Sequence, residues 1–367
     1  MFSEQYNPDS IQNLVQACHN TTDSDILNTL AKHHFTLEDL PVLLSPIAQN
    51  HIETLANRSH HLTTQRFGKT MQLFIPMYIS NVCYNNCTYC GFSMDYDYKR
   101  ITLNSDDILA EAHYIKSRGF DHILILTGEA DKSSITYIAD AIRLISPLFS
   151  SIGIEIQPLN SDDYKTMVQA GSNSLTVYQE TYHPDAYARY HTKGKKRNFT
   201  YRLDTPDRAG NAGFHSMNLG ALMGLHEWRF EALALAQHLH YLQKKYWKIK
   251  YAVSFPRIQD MVGEFILQDT VSDLALVQLI CAFRLVFPDI GITLSTREKA
   301  TLRDHLFKLG ITTISAESKT APGAYTNHHH TEPQFEISDH RSLDEILATL
   351  KLQGFDPVFK DFDRQLV

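Results

Sequence analysis

From Met71 almost to the end of the chain, short β-rich runs alternate with longer amphipathic helical patterns, and this alternation leaves few architectures open. The period of the apolar residues predicts strands over 72–80, 122–127, 153–157, 174–179, 214–218, 250–255, 291–295 and 312–316. It predicts helices over 105–118, 135–149, 161–170, 228–244, 271–287 and 296–309. Eight such units are typical of a TIM-type (β/α)8 barrel, whose chemistry gathers at the carboxyl ends of the strands, although a doubly wound open sheet gives a similar alternation.

We place the barrel at 71–318, with one further segment before it and one after it. Residues 1–70 read as an N-terminal helical extension, with helices over 10–18, 22–33 and 36–67. Residues 319–367 read as a C-terminal loop, including His328–His330 as a polar linker, followed by a helix over 342–352 that packs on the barrel. No linker rich in Gly or Ser separates the parts, so we expect the extension to pack on the barrel as well.

Charge and composition narrow the classes of partner. The formal charge is 34 − 41 = −7, and the compact basic run is Lys193, Lys195, Lys196 and Arg197. A nucleic-acid binder usually carries a broad basic face. We therefore expect no nucleic-acid partner. The basic run is interpreted as a solvated loop, with steering of an acidic partner as the alternative. No apolar stretch is long enough to span a membrane, and the N-terminus lacks a secretory pattern, which favours the cytoplasm.

Three of the five cysteines, Cys83, Cys87 and Cys90, lie within eight residues just after the first predicted strand. This distribution favours a metal site in a reducing compartment over a disulfide framework. Three thiolates suit one [4Fe–4S] cluster per chain in which each binds one iron and the fourth iron stays open to a cofactor. Structural zinc is the alternative, but it normally takes four protein ligands, and no fourth Cys or nearby His has suitable spacing.

The cysteine spacing followed by a barrel pattern resembles the radical S-adenosylmethionine superfamily over roughly 71–316. Across most of the chain the sequence is similar to the 2-iminoacetate synthase family, the tyrosine lyases of the thiazole branch of thiamine biosynthesis. The segments that carry this resemblance are YISNVCYNNCTYCGFSM, LTGEA, EIQPL, VYQETYH, RLDTPDRA, VSFPRI and TLSTRE, together with LLSPIAQNHIETLANRSHHLTTQRFG near the N-terminus.

The resemblance implies contacts to S-adenosylmethionine near the cluster. Tyr89 stands where the superfamily has an aromatic residue that packs on adenine, with simple loop packing as the alternative. Gly128 and Glu129 stand where a Gly-Gly-Glu-like turn binds the amino group of the methionine moiety, although Thr127 replaces its first glycine. Arg208 is the candidate bidentate partner of the methionine carboxylate, with a surface salt bridge as the alternative.

Polar side chains at the ends of the third and fourth predicted strands form a second group. Buried polar groups cost desolvation free energy unless they meet a ligand or one another. We assign Glu155, Gln157 and Glu180 to the cofactor and Gln179 and Tyr182 to the substrate, with a purely structural network as the alternative.

At the seventh strand, Ser295 and Glu298 have the spacing of a helix capping box, which leaves Arg297 free. In the family this segment lines the substrate pocket. The resemblance therefore implies that Ser295 and Arg297 bind the substrate, with Arg297 on its carboxylate.

The reaction implied by the family is cleavage of the Cα–Cβ bond of L-tyrosine to 2-iminoacetate (dehydroglycine) and 4-methylphenol, with methionine and 5′-deoxyadenosine as co-products. Thiazole synthase and a flavodoxin-type electron donor are the implied partners. The open alternatives are a tyrosine or tryptophan lyase of another pathway and a non-catalytic metal-binding scaffold. The tyrosine lyase of hydrogenase maturation adds a C-terminal cysteine set, whereas no cysteine follows Cys281 here.

Overall fold

A computed structural model describes residues 1–258, 269–326 and 330–360 of the chain. Residues 327–329 and 361–367 lie outside the described residues. They include the first two histidines of the predicted His328–His330 linker and Phe362 in the aromatic end of the chain.

The N-terminal region is helical, as predicted. Its α-helices are α1 (Pro8–Asn20), α2 (Asp23–Leu30), α3 (Leu40–Leu43) and α4 (Ile52–Phe67). Asn7 caps α1 by accepting a hydrogen bond from the Asp9 amide at 2.9 Å. The prediction of one continuous helix over 36–67 is wrong, because Pro41 and Pro46 interrupt it and short 3-10 turns replace the missing helix.

Eight parallel strands close into a barrel, which confirms the predicted fold and removes the open sheet as an alternative. The strands within the described residues are β1 (Thr70–Ser80), β2 (Asn86–Cys87), β3 (His122–Thr127), β4 (Ser151–Glu155), β5 (Ser174–Glu180), β6 (His191–Lys193), β7 (Ser216–Ala221), β8 (Lys250–Ser254), β9 (Gly291–Leu294), β10 (Thr313–Ser315) and β11 (Asp356–Val358). The barrel order is β1-β3-β4-β5-β7-β8-β9-β10, and β10 returns to β1 with Thr313 opposite Gln72. All eight barrel strands were predicted, with ends that differ by a few residues.

The helices that cover the barrel follow the strands. They are α5 (Ser105–Ser117), α6 (Ile135–Ile145), α7 (Ser161–Ala170), α8 (Pro184–Tyr190), α9 (Phe199–Leu203), α10 (Thr205–Gly210), α11 (Trp228–Lys245), α12 (Asp273–Val286), α13 (Ala300–Leu306) and α14 (Leu343–Leu352). The sequence did not predict the insertion between β5 and β7, where α8, α9 and α10 surround β6. This insertion carries β6 to the antiparallel partner β2 on the cysteine loop.

Both ends of the chain pack on the barrel. In the extension, α1 packs on α11 and α4 on α12, and the buried Phe2 amide donates to the Asp207 carboxylate at 2.9 Å. At the other end, β11 pairs with the start of β1, with Asp356 opposite Thr70. Within the described ranges, no helix combines the length and apolar character needed to cross a membrane.

Candidate active site at the carboxyl ends of the barrel strands

The cysteine loop, residues 81–100, begins where β1 ends and is closed by hydrogen bonds that do not involve its thiols. The Asn81 side chain donates to the Lys99 carbonyl at 2.9 Å and accepts from the Ile101 amide at 2.7 Å. The Arg100 guanidinium donates to the carbonyls of Asn81, Phe92, Ser93 and Tyr96. The loop therefore has a defined shape supplied by protein groups alone.

Three thiols sit on this loop in different surroundings. Cys87 is buried in the β2–β6 ladder opposite His191, whereas Cys83 and Cys90 are partly exposed. The Gln334 amide lies 3.8 Å from the Cys90 sulfur. Burial raises the pKa of Cys87 to about 12; nearby Lys196 opposes this rise, and Cys90 and Cys83 add to it. Because iron binds thiolates, metal loading has to release these protons.

The donor set fits a cuboidal cluster. Within the described parts of the chain, no three His, Cys, Asp or Glu side chains converge on a point where they could hold a single metal ion. A [4Fe–4S] cluster does not require such convergence, because each thiolate binds a different iron. Cys83, Cys87 and Cys90 could supply three such ligands from one loop, which would leave one iron for a further ligand.

Gly128, in the turn after β3, lies against the cysteine loop. Its amide donates to the Ser80 carbonyl at 3.0 Å, and a Cβ atom at this position would lie 2.8 Å from the Val82 carbonyl carbon and 3.0 Å from the Cys83 Cβ. The next residue, Glu129, accepts from the Asn85 side chain at 2.6 Å. The predicted turn therefore lies beside the cysteines. Only glycine fits at position 128, because a Cβ atom there would collide with Val82.

A buried carboxylate at the end of β5 is held by two cations. Glu180 accepts from the Lys196 ammonium at 2.7 Å and from the Arg202 guanidinium at 3.0 Å. Burial alone would raise the pKa of Glu180, but the two cations outweigh burial and lower it to about 2. The strand has a register shift between Tyr178 and Glu180, and Glu180 adopts a φ of 73°, a conformation rare for a side-chain-bearing residue. The local backbone is strained where this charge is presented.

A second polar group lies inside the barrel, further from the insertion. Glu155 is on the same face of β4 as Ser151, which lines the barrel interior. Burial raises the pKa of Glu155 to about 7, with Glu180 adding to the rise and Arg297 opposing it. The Arg297 guanidinium lies 3.3 Å from the Phe335 ring centre and forms no ion pair with any residue that the structure describes. A partly buried cation with no ion pair among the described residues, together with a carboxyl of nearly neutral pKa, is suited to bind an amino acid's carboxylate and amino groups.

Apolar side chains form a wall beside the cysteines. Tyr89 and Cys87 pack with Leu222 and Leu225, and Ile258 joins the same cluster. The Tyr89 hydroxyl is within 2.7 Å of His191 Nε2, which fixes the ring. These side chains form a small buried apolar cluster directly beside the cysteine loop.

The comparisons with known proteins agree with this arrangement. The model of the radical SAM superfamily matches residues 77–237, and that of the biotin and thiamin synthesis associated domain matches 254–356. The 2-iminoacetate synthase of Escherichia coli (strain K12) is 44% identical over 347 residues, which are 94% of this chain and 92% of that protein. The chain belongs to the 2-iminoacetate synthase family.

Two further relatives are close. The 2-iminoacetate synthase of Salmonella typhimurium (strain LT2) is also 44% identical, over 94% of this chain and 92% of its own. The crystal structure of HydG, a maturase of the [FeFe]-hydrogenase, has a TM-score of 0.92 and 29% identity, and the match covers 96% of this chain and 80% of that one. Membership of the family and the barrel fold are thus supported by sequence and by structure.

The structure places six of the predicted site residues near the cysteines or inside the barrel: Tyr89, Gly128, Glu129, Glu155, Glu180 and Arg297. Gln157 is also close, because it lines with Glu129 a groove of about 970 Å³ and donates to the Ser133 carbonyl at 3.1 Å. Gln179 is buried, and neither of its amide atoms has a hydrogen-bond partner among the described residues.

Two of the assigned side chains are held mainly by other protein groups. The Arg208 guanidinium donates from Nε to the Leu159 carbonyl at 2.7 Å and from Nη2 to the Tyr201 carbonyl at 2.6 Å, and it stacks on the Tyr201 ring, so two of its three nitrogens are used within the protein. The Tyr182 hydroxyl is 3.0 Å from His238 Nδ1 on α11, on the side of the barrel covered by the N-terminal extension. Neither side chain joins the polar group described above.

The capping box predicted for Ser295 and Glu298 is wrong, because α13 begins only at Ala300. Glu298 instead accepts from the Arg257 guanidinium at 2.9 Å, and Ser295 accepts from the Arg297 amide at 3.4 Å. Ser295 thus supports the backbone of Arg297.

Other residues of the site were missed. Lys196 and Arg202 hold Glu180, and Gln334 and Phe335 reach the site from the C-terminal region. Leu222 follows β7 directly, and a glycine near the end of the strand, Gly220, with another just after it, Gly224, was the signal that could have marked this turn.

Proposed function

We propose that this chain is a radical S-adenosylmethionine tyrosine lyase that cleaves the Cα–Cβ bond of L-tyrosine to 2-iminoacetate and 4-methylphenol. Methionine and 5′-deoxyadenosine are the co-products. The observation that carries the proposal is the placement of the unpaired Arg297 cation and Glu155 inside a barrel whose mouth bears three cysteines. Membership of the 2-iminoacetate synthase family supports the choice of reaction.

Cys83, Cys87 and Cys90 are the proposed ligands of the cluster. When bound, the reduced cluster supplies the electron that splits S-adenosylmethionine into methionine and a 5′-deoxyadenosyl radical. The hydrogen bonds of Arg100 close the loop and would help to hold the three sulfur atoms in position. The partial exposure of Cys83 and Cys90 leaves room on that side for the ligand of the fourth iron.

The proposed cofactor contacts surround this loop. Tyr89 and Leu222 offer an apolar face to adenine. Glu129, Gln157 and Glu180 offer acceptors, which suit an ammonium group and ribose hydroxyls. We propose that the Lys196 cation next to Glu180, rather than Arg208, meets the methionine carboxylate.

The proposed substrate contacts lie deeper in the barrel. Arg297 binds the tyrosine carboxylate, with its guanidinium fixed by the Phe335 ring and its backbone by Ser295. Glu155, with a pKa of about 7, can accept a proton from the substrate ammonium near neutral pH, so that the amino group is able to give up hydrogen. The buried side-chain amide of Gln179, near the end of β5, has no hydrogen-bond partner among the described residues. We propose that it contacts the substrate.

Two partners follow from the chemistry. Dehydroglycine hydrolyses readily, so we propose direct transfer to thiazole synthase. The match to the biotin and thiamin synthesis associated domain supports a place in thiamine biosynthesis. A flavodoxin-type protein is the proposed electron donor.

The proposal is tested by anaerobic reconstitution with iron and sulfide, followed by incubation with dithionite, S-adenosylmethionine and either tyrosine or tryptophan. We expect deoxyadenosine and 4-methylphenol with tyrosine, and no 3-methylindole with tryptophan. Cys87→Ala should abolish both products and lower bound iron, whereas Cys281→Ala, at a buried cysteine on α12, should retain both. Formation of 3-methylindole at a comparable rate would show that the substrate assignment is wrong.

The role of Arg297 is tested separately by measuring tyrosine affinity. Arg297→Ala should weaken tyrosine binding by about 100-fold, which corresponds to about 3 kcal/mol for a charge-assisted pair. Arg297→Lys should recover only part of this loss, because lysine cannot form the bidentate geometry. Unchanged tyrosine affinity in Arg297→Ala would refute the assignment.

A further inference from the structure

The compact basic run of the sequence is placed directly beside the cysteine loop. β6 pairs antiparallel with β2, with Lys193 opposite Asn86, and the Lys196 amide donates to the Asn85 side chain at 2.9 Å. Gly194, with a φ of 86°, allows this approach, since a Cβ atom there would lie 2.7 Å from the Tyr84 carbonyl oxygen. The basic segment 193–197 and the cysteine loop therefore form one continuous surface.

The four cations of this segment divide into two sets. Lys196 points inward to Glu180, and Lys193 pairs with Asp95 at 3.0 Å. Lys195 and Arg197 are exposed and form no ion pair with the residues that the structure describes. Two uncompensated positive charges thus stand at the surface next to the cysteines in a chain whose formal charge is −7. Such a patch attracts an acidic protein and orients it on approach.

Exposed apolar side chains on the cysteine loop continue this surface. Tyr84, between Cys83 and Asn85, is 49% exposed, and Met94 is 45% exposed. The Met94 amide donates to the Asn85 carbonyl at 3.0 Å, so both side chains belong to the part of the loop that contacts Gly194 and the basic segment. Tyr, Met and Arg are the residue types enriched in the cores of protein interfaces.

We propose that Tyr84, Met94, Lys195 and Arg197 form the docking surface for a small acidic electron-transfer protein. The inference rests on the proposed function, in which electrons must reach the three-cysteine site from outside the chain. In each transfer one electron leaves the docked donor, which is oxidised by one electron, and enters the cluster, which is reduced by one. Docking at this surface places the donor against the loop that carries all three cluster ligands, which makes the transfer path short.

The experiment compares the wild-type chain with the double variant Lys195→Glu and Arg197→Glu. The probe is an acidic flavodoxin, whose Kd for the reconstituted chain is measured by calorimetry at low salt. We expect the variant to bind flavodoxin at least about tenfold more weakly, and the wild-type affinity to fall as salt is added. Product formation driven by reduced flavodoxin should fall in parallel.

Three controls separate docking from chemistry. The loss of flavodoxin-driven product formation in the variant should exceed any loss of dithionite-driven product formation or of S-adenosylmethionine affinity, which are measured because Lys195 and Arg197 also line the groove that contains Glu129. The matched double variant Lys244→Glu and Lys248→Glu makes the same charge change at exposed positions near the end of α11 and should bind flavodoxin like the wild type.

Each result decides the proposal. Flavodoxin affinity that is equal in the wild type and the Lys195→Glu, Arg197→Glu variant overturns it. So does an equal loss of dithionite-driven activity or S-adenosylmethionine affinity, because the two residues would then act on the site itself, and so does an equal loss of affinity in the Lys244→Glu, Lys248→Glu control. If no products form with dithionite in the wild type, the proposed reaction fails, but the flavodoxin affinities still test the surface.

Discussion

Glu231 is a fully buried carboxyl on α11, away from the cysteines, and it makes the stability of the chain depend on pH. Its oxygens accept hydrogen bonds from the Thr181 hydroxyl at 2.5 Å and from the Tyr182 amide at 2.7 Å. Burial raises the pKa of Glu231 from 4.5 to about 8, and the two hydrogen bonds only partly oppose this rise. We predict that Glu231→Gln removes a large pH-dependent part of the free energy of unfolding.

The size of the effect follows from the two pKa values. Below pH 4.5 the carboxyl is protonated in both the folded and the unfolded chain, and between 4.5 and about 8 only the folded chain keeps the proton. The folded state therefore loses stability as pH rises through this window, at about 1.4 kcal/mol per pH unit. From pH 6 to pH 9 the wild type should lose about 3 kcal/mol relative to Glu231→Gln, since the loss ends near pH 8.

The assay is urea unfolding of both proteins at pH 6, 7.5 and 9, with the slope against urea checked for equality. Other titrating groups are common to both proteins, so they cancel in the difference. Glu53→Gln, at an exposed position on α4, is the matched control and should follow the wild type at all three values. A difference between wild type and Glu231→Gln that stays constant from pH 6 to pH 9 would refute the reasoning.

Other parts of the structure give three shorter predictions. Gly128→Ala should reduce the iron bound per chain after reconstitution, as measured by metal analysis, because its Cβ would displace the loop at Val82. Phe2→Ala should lower the urea unfolding free energy by about 3 kcal/mol, because the ring is buried and stacks on His238 at 4.1 Å. Lys196→Met should weaken S-adenosylmethionine binding at least about tenfold in equilibrium dialysis, since it removes the inward cation of the cofactor site.

The barrel could be predicted because each strand and helix carries its own local pattern. Ser161–Ala170 shows this well: a capping Asn160 and buried Tyr164 and Met167 at helical spacing give the observed helix at its predicted bounds. The extension was harder, because residues 36–67 keep a helical period across Pro41 and Pro46. The spacing of apolar residues alone does not reveal that a proline lacks a backbone hydrogen-bond donor.

The site was only partly predictable, because its decisive contacts join residues distant in sequence. Glu180 was identified by its place at a strand end, but its two cations lie 16 and 22 residues further along the chain in the insertion. The spacing of Ser295 and Glu298 suggested a cap, yet Arg257 takes the Glu298 carboxylate. Sequence patterns reveal only the interactions of a side chain with its neighbours in sequence. Here an ion pair with an arginine distant in sequence is stronger than the predicted helix cap.

The C-terminal region completes the site from the far end of the chain. Gln334 accepts from the Tyr78 hydroxyl at 2.7 Å on β1, its carbonyl accepts from the Gly91 amide at 2.9 Å, and its side chain approaches Cys90. Phe335 then covers Arg297. Residues 333–335 thus touch both the cysteine loop and the proposed substrate cation. They follow β10, the strand that closes the barrel against β1, so the site joins residues from the first barrel strand and from the segment after the last one.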